Sequence, residues 1–342
     1  MSTSYERTWD TRRKKTRSIS DEARASYYGV PAVHKPHWKW LIIWYFFLGG
    51  ISAASYVIAS IAELFGGAEA RRITRAGRYI SLAALLPSPI LLILDLGRPE
   101  RFHHMLYIIK LRSPMSVGTW GLTIFGGFCG LSALIQAAQD GLLGRAKFIN
   151  RILLAMPCKA INVIGSAFGF FVGGYTGVLL GATAVPLWAK NYLLLGPLFL
   201  ASAMSTATAA ITLVLSMVRG TSHNTFKRLE RLDTWTLIAE LGLILGARIN
   251  TGQMLARPIR EGRLGHIFRW GVLGLGIIAP LTLLSLARVR HTTSTRWLTV
   301  LSSILTLTGG FLLRYVMVMA GRASADDPQA TYALARRRLP HD

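Results

Sequence analysis

At 342 residues, 51% hydrophobic and with a formal net charge of +23, the chain gathers its apolar residues into runs too long for a soluble domain. Its two cysteines are too few to ligate an iron–sulfur cluster or a four-ligand zinc site, and read as small helix-packing residues. The positive charge flanks the apolar runs, where lipid headgroups and acidic partner surfaces meet it, so it marks a membrane protein and no nucleic-acid partner.

In chain order, residues 1–39 form a polar, basic N-terminal arm with Arg12-Arg13-Lys14-Lys15 near its start. The arm has no short apolar core followed by a small-residue cleavage site, so no secretory signal is expected. Arg12-Arg13 is not read as a twin-arginine signal either, because the next apolar run is a full span. Eight runs follow, at about 40–65, 73–96, 115–138, 160–185, 193–218, 232–249, 267–286 and 297–319. Each is long enough to cross roughly 30 Å of hydrocarbon. In hydrocarbon the backbone must satisfy its own polar groups, so the expected fold is all-α and integral to the membrane, with eight transmembrane helices in a domain over 40–319. A C-terminal tail covers 320–342. An even number of spans puts both tails on one side, here side A. Side A carries more Lys and Arg than side B, which favours side A as cytoplasmic.

Polar residues inside spans are costly and point to function. With about 1.5 Å of rise per residue, Tyr45 lies little more than a turn into the first span from side A. Asp95 ends the second span, Tyr175 lies about three turns from the side-A end of the fourth, Arg248 is near the side-A end of the sixth, and Arg314 is about two turns into the eighth. Together they are expected to form a polar pocket toward side A. Glu240, mid-span in the sixth run, and Glu63, near side B in the first, are expected to continue it as a proton path. A plainer role stands beside each: Asp95 paired with Arg98 or capping a helix, Tyr45 in an interfacial aromatic belt, and Arg248 and Glu63 snorkelling to the surface. None of the eight histidines lies in a predicted span, so no haem held between histidines at depth is expected. The pairs Gly49-Gly50, Gly126-Gly127, Gly173-Gly174 and Gly309-Gly310 read as close helix packing, not as nucleotide-binding loops.

Between the second and third runs stands Asp95-Leu96-Gly97-Arg98-Pro99-Glu100-Arg101-Phe102, then Ser113-Pro114-Met115-Ser116-Val117-Gly118-Thr119-Trp120. With Trp38-Lys39-Trp40, Tyr45-Phe46-Phe47-Leu48-Gly49-Gly50, Tyr175-Thr176-Gly177-Val178-Leu179-Leu180, Ala184-Val185-Pro186-Leu187-Trp188 and Ala320-Gly321-Arg322-Ala323-Ser324, this pattern resembles the NrfD family of polysulfide-reductase-like membrane subunits, from about Tyr27 to Leu339. The resemblance implies two four-helix bundles in one chain, about 40–185 and 193–319. It implies an exchangeable menaquinone or ubiquinone near the membrane surface, with no haem or iron–sulfur cluster in this chain. A ferredoxin-like iron–sulfur subunit would dock beside the quinone, followed by a molybdopterin catalytic subunit. The complex would sit in a bacterial or archaeal cytoplasmic membrane, and this chain would lack the catalytic centre. The family's quinone-site tyrosine in span four corresponds to Tyr175. Its asparagine and histidine in span one fall at Ile42 and Tyr45, a departure at two ligands for which His37, one turn earlier, compensates. The expected quinone site is therefore His37, Tyr45, Asp95, Tyr175, Arg248 and Arg314.

The second loop gains a role in this frame. Arg98, Arg101, Phe102, His103, His104, Tyr107, Lys110 and Arg112 are expected to roof the quinone and dock the partner. Asp95 paired with Arg98 or Arg101 would fix the turn, and Pro99 and Pro114 would stop the helices from running on. Two other readings remain beside this one. A secondary transporter or ion-translocating membrane subunit suits the prolines Pro87, Pro89, Pro197 and Pro280 and the mid-span Glu240. An anchor without quinone contact suits the missing span-one histidine.

Overall fold

The structure, a computed structural model, describes residues 36–327 apart from residues 108, 111, 145, 219, 256 and 291–295. The basic arm over 1–35, His34, His291, His341 and the tail beyond Asp327 lie outside the described residues. Among the described residues every regular element is helical. The long helices are α1 (Trp40–Phe65), α2 (Arg71–Leu94), α3 (Pro114–Gln139), α4 (Cys158–Gly181), α5 (Tyr192–Met217), α6 (His223–Leu255), α7 (Gly262–Arg288) and α8 (Arg296–Ala325). Seven of them, all but α6, are long and apolar enough to cross a membrane. The protein is a multi-span helical membrane protein.

The expected span at 232–249 lies inside α6, which has 33 residues. It is less apolar than the others because Arg231, Asp233, Glu240 and Arg248 interrupt it. It still runs antiparallel to α5 along the whole of that helix. Phe226 shares an apolar cluster with Leu215 at one end, Ser205 donates to Glu240 at 3.0 Å midway, and Asn191 donates to Thr251 at 2.6 Å at the other end.

Helix α1 is the axis of the molecule and packs on α2, α4, α5 and α8. Gly49, Gly50, Ser52, Ala53, Ala54 and Ser55 are all buried along it. Such small side chains let neighbouring helices approach closely where no hydrophobic effect pulls them together. Around it, α2 packs on α3 and α3 on α4, while α5 packs on α6 and α8, and α7 on α8. One apolar core runs through both sets, from Phe46, Tyr56 and Phe125 to Leu198, Leu237 and Leu313.

The prolines act differently at each site. Helix α2 is interrupted at Leu86, and Pro87 opens its second piece. Pro99 opens a short 3-10 turn, and Pro114 is the first residue of α3, so it starts a helix where the sequence suggested a stop. Helix α5 continues through Pro197 without a break. In α7 the hydrogen bonding widens to the π pattern over Ile267–Ile278, just before Pro280, which has no N–H to offer the ladder. There Gly276 meets Gly309 of α8 backbone to backbone, with no room for a Cβ on either. Gly127, by contrast, faces open space, so close packing does not explain it.

On side A, three distant stretches of sequence meet. Trp38 stacks on the fully buried Trp188, with ring centroids 5.6 Å apart. The Trp188 indole N–H donates to the Met317 carbonyl at 2.9 Å, and Gly321 lies flat against its ring. The Leu187 N–H donates to Ser324 Oγ at 3.2 Å, and Arg322 donates to the Trp38 carbonyl at 3.3 Å. These are the Trp-x-Trp, Pro-Leu-Trp and Ala-Gly-Arg-Ala-Ser stretches of the sequence.

Candidate functional site

A cavity of about 380 Å³ opens on side A between α1, α2, α3 and α4. Four of the six residues expected at the pocket line it: His37, Tyr45, Asp95 and Tyr175. Ile42, Phe46, Leu92, Met115 and Leu179 supply apolar walls. Such a site, mostly apolar with a few converging polar groups, suits a small flat ligand.

The two tyrosines are held differently. On α3, Gly118 and Gly121 leave no side chain where α4 approaches, so Tyr175 and Phe171 lie against the α3 backbone. The two rings stack at 5.1 Å. The Tyr175 hydroxyl donates to the Pro114 carbonyl, and a phenol has only one proton to give. Tyr45 is buried, and its hydroxyl has no hydrogen-bond partner among the described residues. It is therefore the free donor on the cavity wall.

Asp95 sits just past the end of α2 and is half-buried. Burial raises its carboxyl above the ordinary carboxylate range, while His37 and Lys39 pull it back. It makes no ion pair with Arg98 or Arg101, contrary to expectation; among the described residues, those pairs are absent. The turn is instead closed by the Asp95 N–H bonding to the Leu91 carbonyl at 3.2 Å and the Arg101 N–H to the Arg98 carbonyl at 3.1 Å.

The loop after α2 stands beside this cavity. Met105 lines it and touches Thr119 of α3 through its sulfur. Around Met105, the rings of Phe102, His103, His104 and Tyr107 form an aromatic cluster. Arg98, Arg101, Phe102, His103, His104, Tyr107, Lys110 and Arg112 are all exposed. Tyr107, 81% exposed, is a large apolar surface left uncovered.

The remaining expected residues lie elsewhere. Arg248 lines a second side-A cavity, between α5, α6, α7 and α8. Arg314 is fully buried: it donates to Ser202 at 2.7 Å and to the Gly310 carbonyl at 2.8 Å, between the rings of Phe47 and Phe199. Glu240 belongs to the same cluster. Ser202 and Ser205, three residues apart on α5, face Arg314 and Glu240 respectively, so one helix face serves both charges. Glu63 is in a different cluster, at side B, where it accepts from Arg78 and from Asn162. The polar pocket and proton path expected from depth are thus four separate sites.

Two buried charges are not evident from the sequence. Arg78, 2% exposed, holds Glu63, Gln136 and Asn162 together across four helices. It lies inside the expected second run, 73–96, but near its side-B end, where a base reads as snorkelling to the surface. Asp233 is buried in α6, although its place at the start of the sixth run makes it look like a surface residue. Beside the Glu63 cluster, a polar cavity of about 810 Å³ opens on side B, lined by Glu63, Arg71, Arg75 and Asp140.

The comparisons with known proteins agree with the motif clusters. The family model "Polysulphide reductase, NrfD" matches residues 31–325. The sequence is 26% identical to the C chain of polysulfide reductase from Wolinella succinogenes, over 83% of this protein and 94% of that one. It is 24% identical to the C subunit of selenate reductase from Mesobacillus selenatarsenatis, over 82% of this protein and 73% of that one. It is 28% identical to protein NrfD of Escherichia coli, over 72% of this protein and 83% of that one. With the match running across all eight long helices, through the cavity around Tyr45 and the join around Trp188, the chain belongs to the NrfD family of membrane proteins.

Proposed function

We propose that the protein is the quinone-binding membrane anchor of a multisubunit iron–sulfur/molybdopterin oxidoreductase. It would pass electrons between the quinone pool and a docked ferredoxin-like iron–sulfur subunit. The observation that carries this is the side-A cavity, where Tyr45 presents an unpartnered hydroxyl among apolar walls directly beside an exposed aromatic and basic loop. The cavity's chemistry fits the ligand: apolar sides for a ring and the start of an isoprenoid tail, and a neutral donor for a carbonyl.

A bound quinone, menaquinone or ubiquinone, supplies the redox chemistry. The protein's own residues do the rest. Tyr45 donates to a ligand oxygen. The Tyr175 oxygen, with its proton committed to Pro114, accepts, or donates only by giving up that bond. His37 and Asp95 at the mouth exchange protons with the surface. Glu240 and Glu63 are two further stations of a proton path, at two further depths. The loop residues Arg98, Arg101, Phe102, His103, His104, Tyr107, Lys110 and Arg112 dock the partner. The relatives from polysulfide and selenate reductases, each named as a lettered component of its enzyme, support a place in a multisubunit complex; in this reading a separate molybdopterin subunit carries catalysis.

The same reading takes α6 as an eighth crossing, because it runs the length of α5. The membrane domain, 40–319, then divides into bundles over 40–185 and 193–319. The arm at 1–39 and the tail at 320–342 share one side, cytoplasmic by its charge, of a bacterial or archaeal inner membrane.

The test is quinone extraction and quinone-linked turnover of the complex purified through this protein. Tyr45→Phe removes one hydroxyl and keeps the ring. The complex should retain its subunits but hold quinone less tightly, with KM raised about tenfold, the worth of one hydrogen bond of ~1.4 kcal/mol. Equal quinone content and kinetics in wild type and variant would refute this site.

A further inference from the structure

The second side-A cavity, about 280 Å³, shares no lining residue with the cavity around Tyr45. Its walls are Leu198, Ile244, Phe268 and Leu313, all buried, so it is an apolar cleft reaching into the core. Its rim is Arg248, Arg260 and Arg269, and no carboxylate lines it. The nearby Glu261 is engaged by Arg257 at 3.0 Å. None of the three rim arginines is in an ion pair among the described residues.

The backbone brings this rim together by a sharp turn. Gly252 interrupts α6 with φ 72° and ψ 178°, a conformation that only glycine adopts readily. The backbone then doubles back, and Ile259 and Arg260 return to line the cleft. Arg269 of α7 donates to the Arg260 carbonyl at 2.7 Å, fixing the two arms beside each other.

Three guanidinium groups at one mouth repel one another, and an anion there relieves the repulsion. Their planar forks match phosphate oxygens two at a time. An apolar floor beneath them excludes a free hydrophilic anion as the preferred guest. A quinone head is neutral and does not answer the charge. The cleft lies at the helix ends, the level of lipid headgroups, where basic pockets between helices take anionic lipid. We infer that this cleft binds an anionic phospholipid, its phosphate on Arg248, Arg260 and Arg269 and the start of an acyl chain between Leu198, Phe268 and Leu313. The volume holds a headgroup and part of an acyl tail, with the remainder in the bilayer.

The complex carrying the full-length protein is purified in mild detergent, and retained lipid is counted by native mass spectrometry. It is then delipidated and titrated with phosphatidylglycerol or cardiolipin, with phosphatidylethanolamine, or with inorganic phosphate. One anionic lipid per copy should survive purification and rebind saturably. The double variant Arg260→Gln/Arg269→Gln should bind it at least tenfold more weakly. Ala247→Phe, which fills the cleft and leaves the charge intact, should do the same. Equal retention of phosphatidylethanolamine, or unchanged binding in both variants, would overturn the proposal. So would displacement of the lipid by millimolar phosphate, which would mean a headgroup-only site. Loss of quinone with Ala247→Phe but not with Tyr45→Phe would mean that the cleft is a quinone site instead.

Discussion

Tyr175 shows how a single side chain depends on what its neighbours lack. Its ring lies where a Cβ on Gly118 would be, so Gly118→Ala must push the ring toward the cavity. We expect that substitution to lower stability by about 1–3 kcal/mol, as overpacking does, and to reduce quinone-linked turnover more than Tyr175→Phe, which leaves the ring in place. Thermal unfolding and turnover of the same preparations check both halves. At side B, Glu63→Ala strips Arg78 of its counter-charge. Because Glu63 is 28% exposed to the cavity, the cost should be about 2–3 kcal/mol, below the ~3–5 of a fully buried pair. A melting temperature unchanged by Glu63→Ala would show that Gln136 and Asn162 suffice. Some of these residues are legible in the sequence and others are not, for a physical reason. Counting along a helix places a residue in one half of the membrane or the other, and His37, Tyr45, Asp95 and Tyr175 share both the side-A half and a set of adjoining helices. Arg248 and Arg314 have similar depth but point between other helices, and depth carries no information about rotation around the axis. Arg78 is hidden because a base near a helix end reads as one that snorkels to the surface.

Among the elements, α6 is where hydropathy misleads most. Two of its polar groups, Glu240 and Thr251, are answered by Ser205 and Asn191 on a neighbouring element, and a sequence window sees only the charges. The π stretch of α7 is equally invisible, since it depends on how α7 sits against α8. Hydrophobic counting also misses the short helix Lys147–Ala155. It buries Leu153 alone and leaves Phe148, Ile149, Ile152 and Leu154 uncovered, next to Lys147 and Arg151. That division of faces suits a helix lying in the membrane surface. The spans themselves are readable because hydrocarbon leaves the backbone no alternative to a helix. The glycines separate packing from propensity. Gly309→Ala must force α8 from α7 at Gly276 and should cost about 1–3 kcal/mol. Gly127→Ala meets nothing and should be neutral or stabilising by up to ~1 kcal/mol, the gain in helix propensity. Paired thermal melts decide it, and equal effects of the two substitutions would contradict the close crossing.

At the scale of the whole molecule, side A holds both apolar cavities, the exposed loop and the join around Trp188. If the loop docks an acidic partner, reversing Lys110 and Arg112 to Glu should release the iron–sulfur subunit, more readily at high salt, while the helices still insert. Co-purification across a salt series measures this; a partner retained at every salt concentration, or crosslinked only to Arg71, Lys147 and Lys227 at the opposite end, would move the docking face to side B. The join around Trp188 has a consequence in time. Trp38 and Trp188 are made early, but Met317, Gly321 and Ser324 are made last, and folding proceeds from the N-terminus as synthesis continues. Until α8 is inserted, the Trp188 indole has no carbonyl to bond and no glycine to cover it. The finished surface next to the Tyr45 cavity therefore exists only once every helix is in place. A partner that recognises this surface is reading completion, because half-made copies carry the loop and the Tyr45 cavity without it.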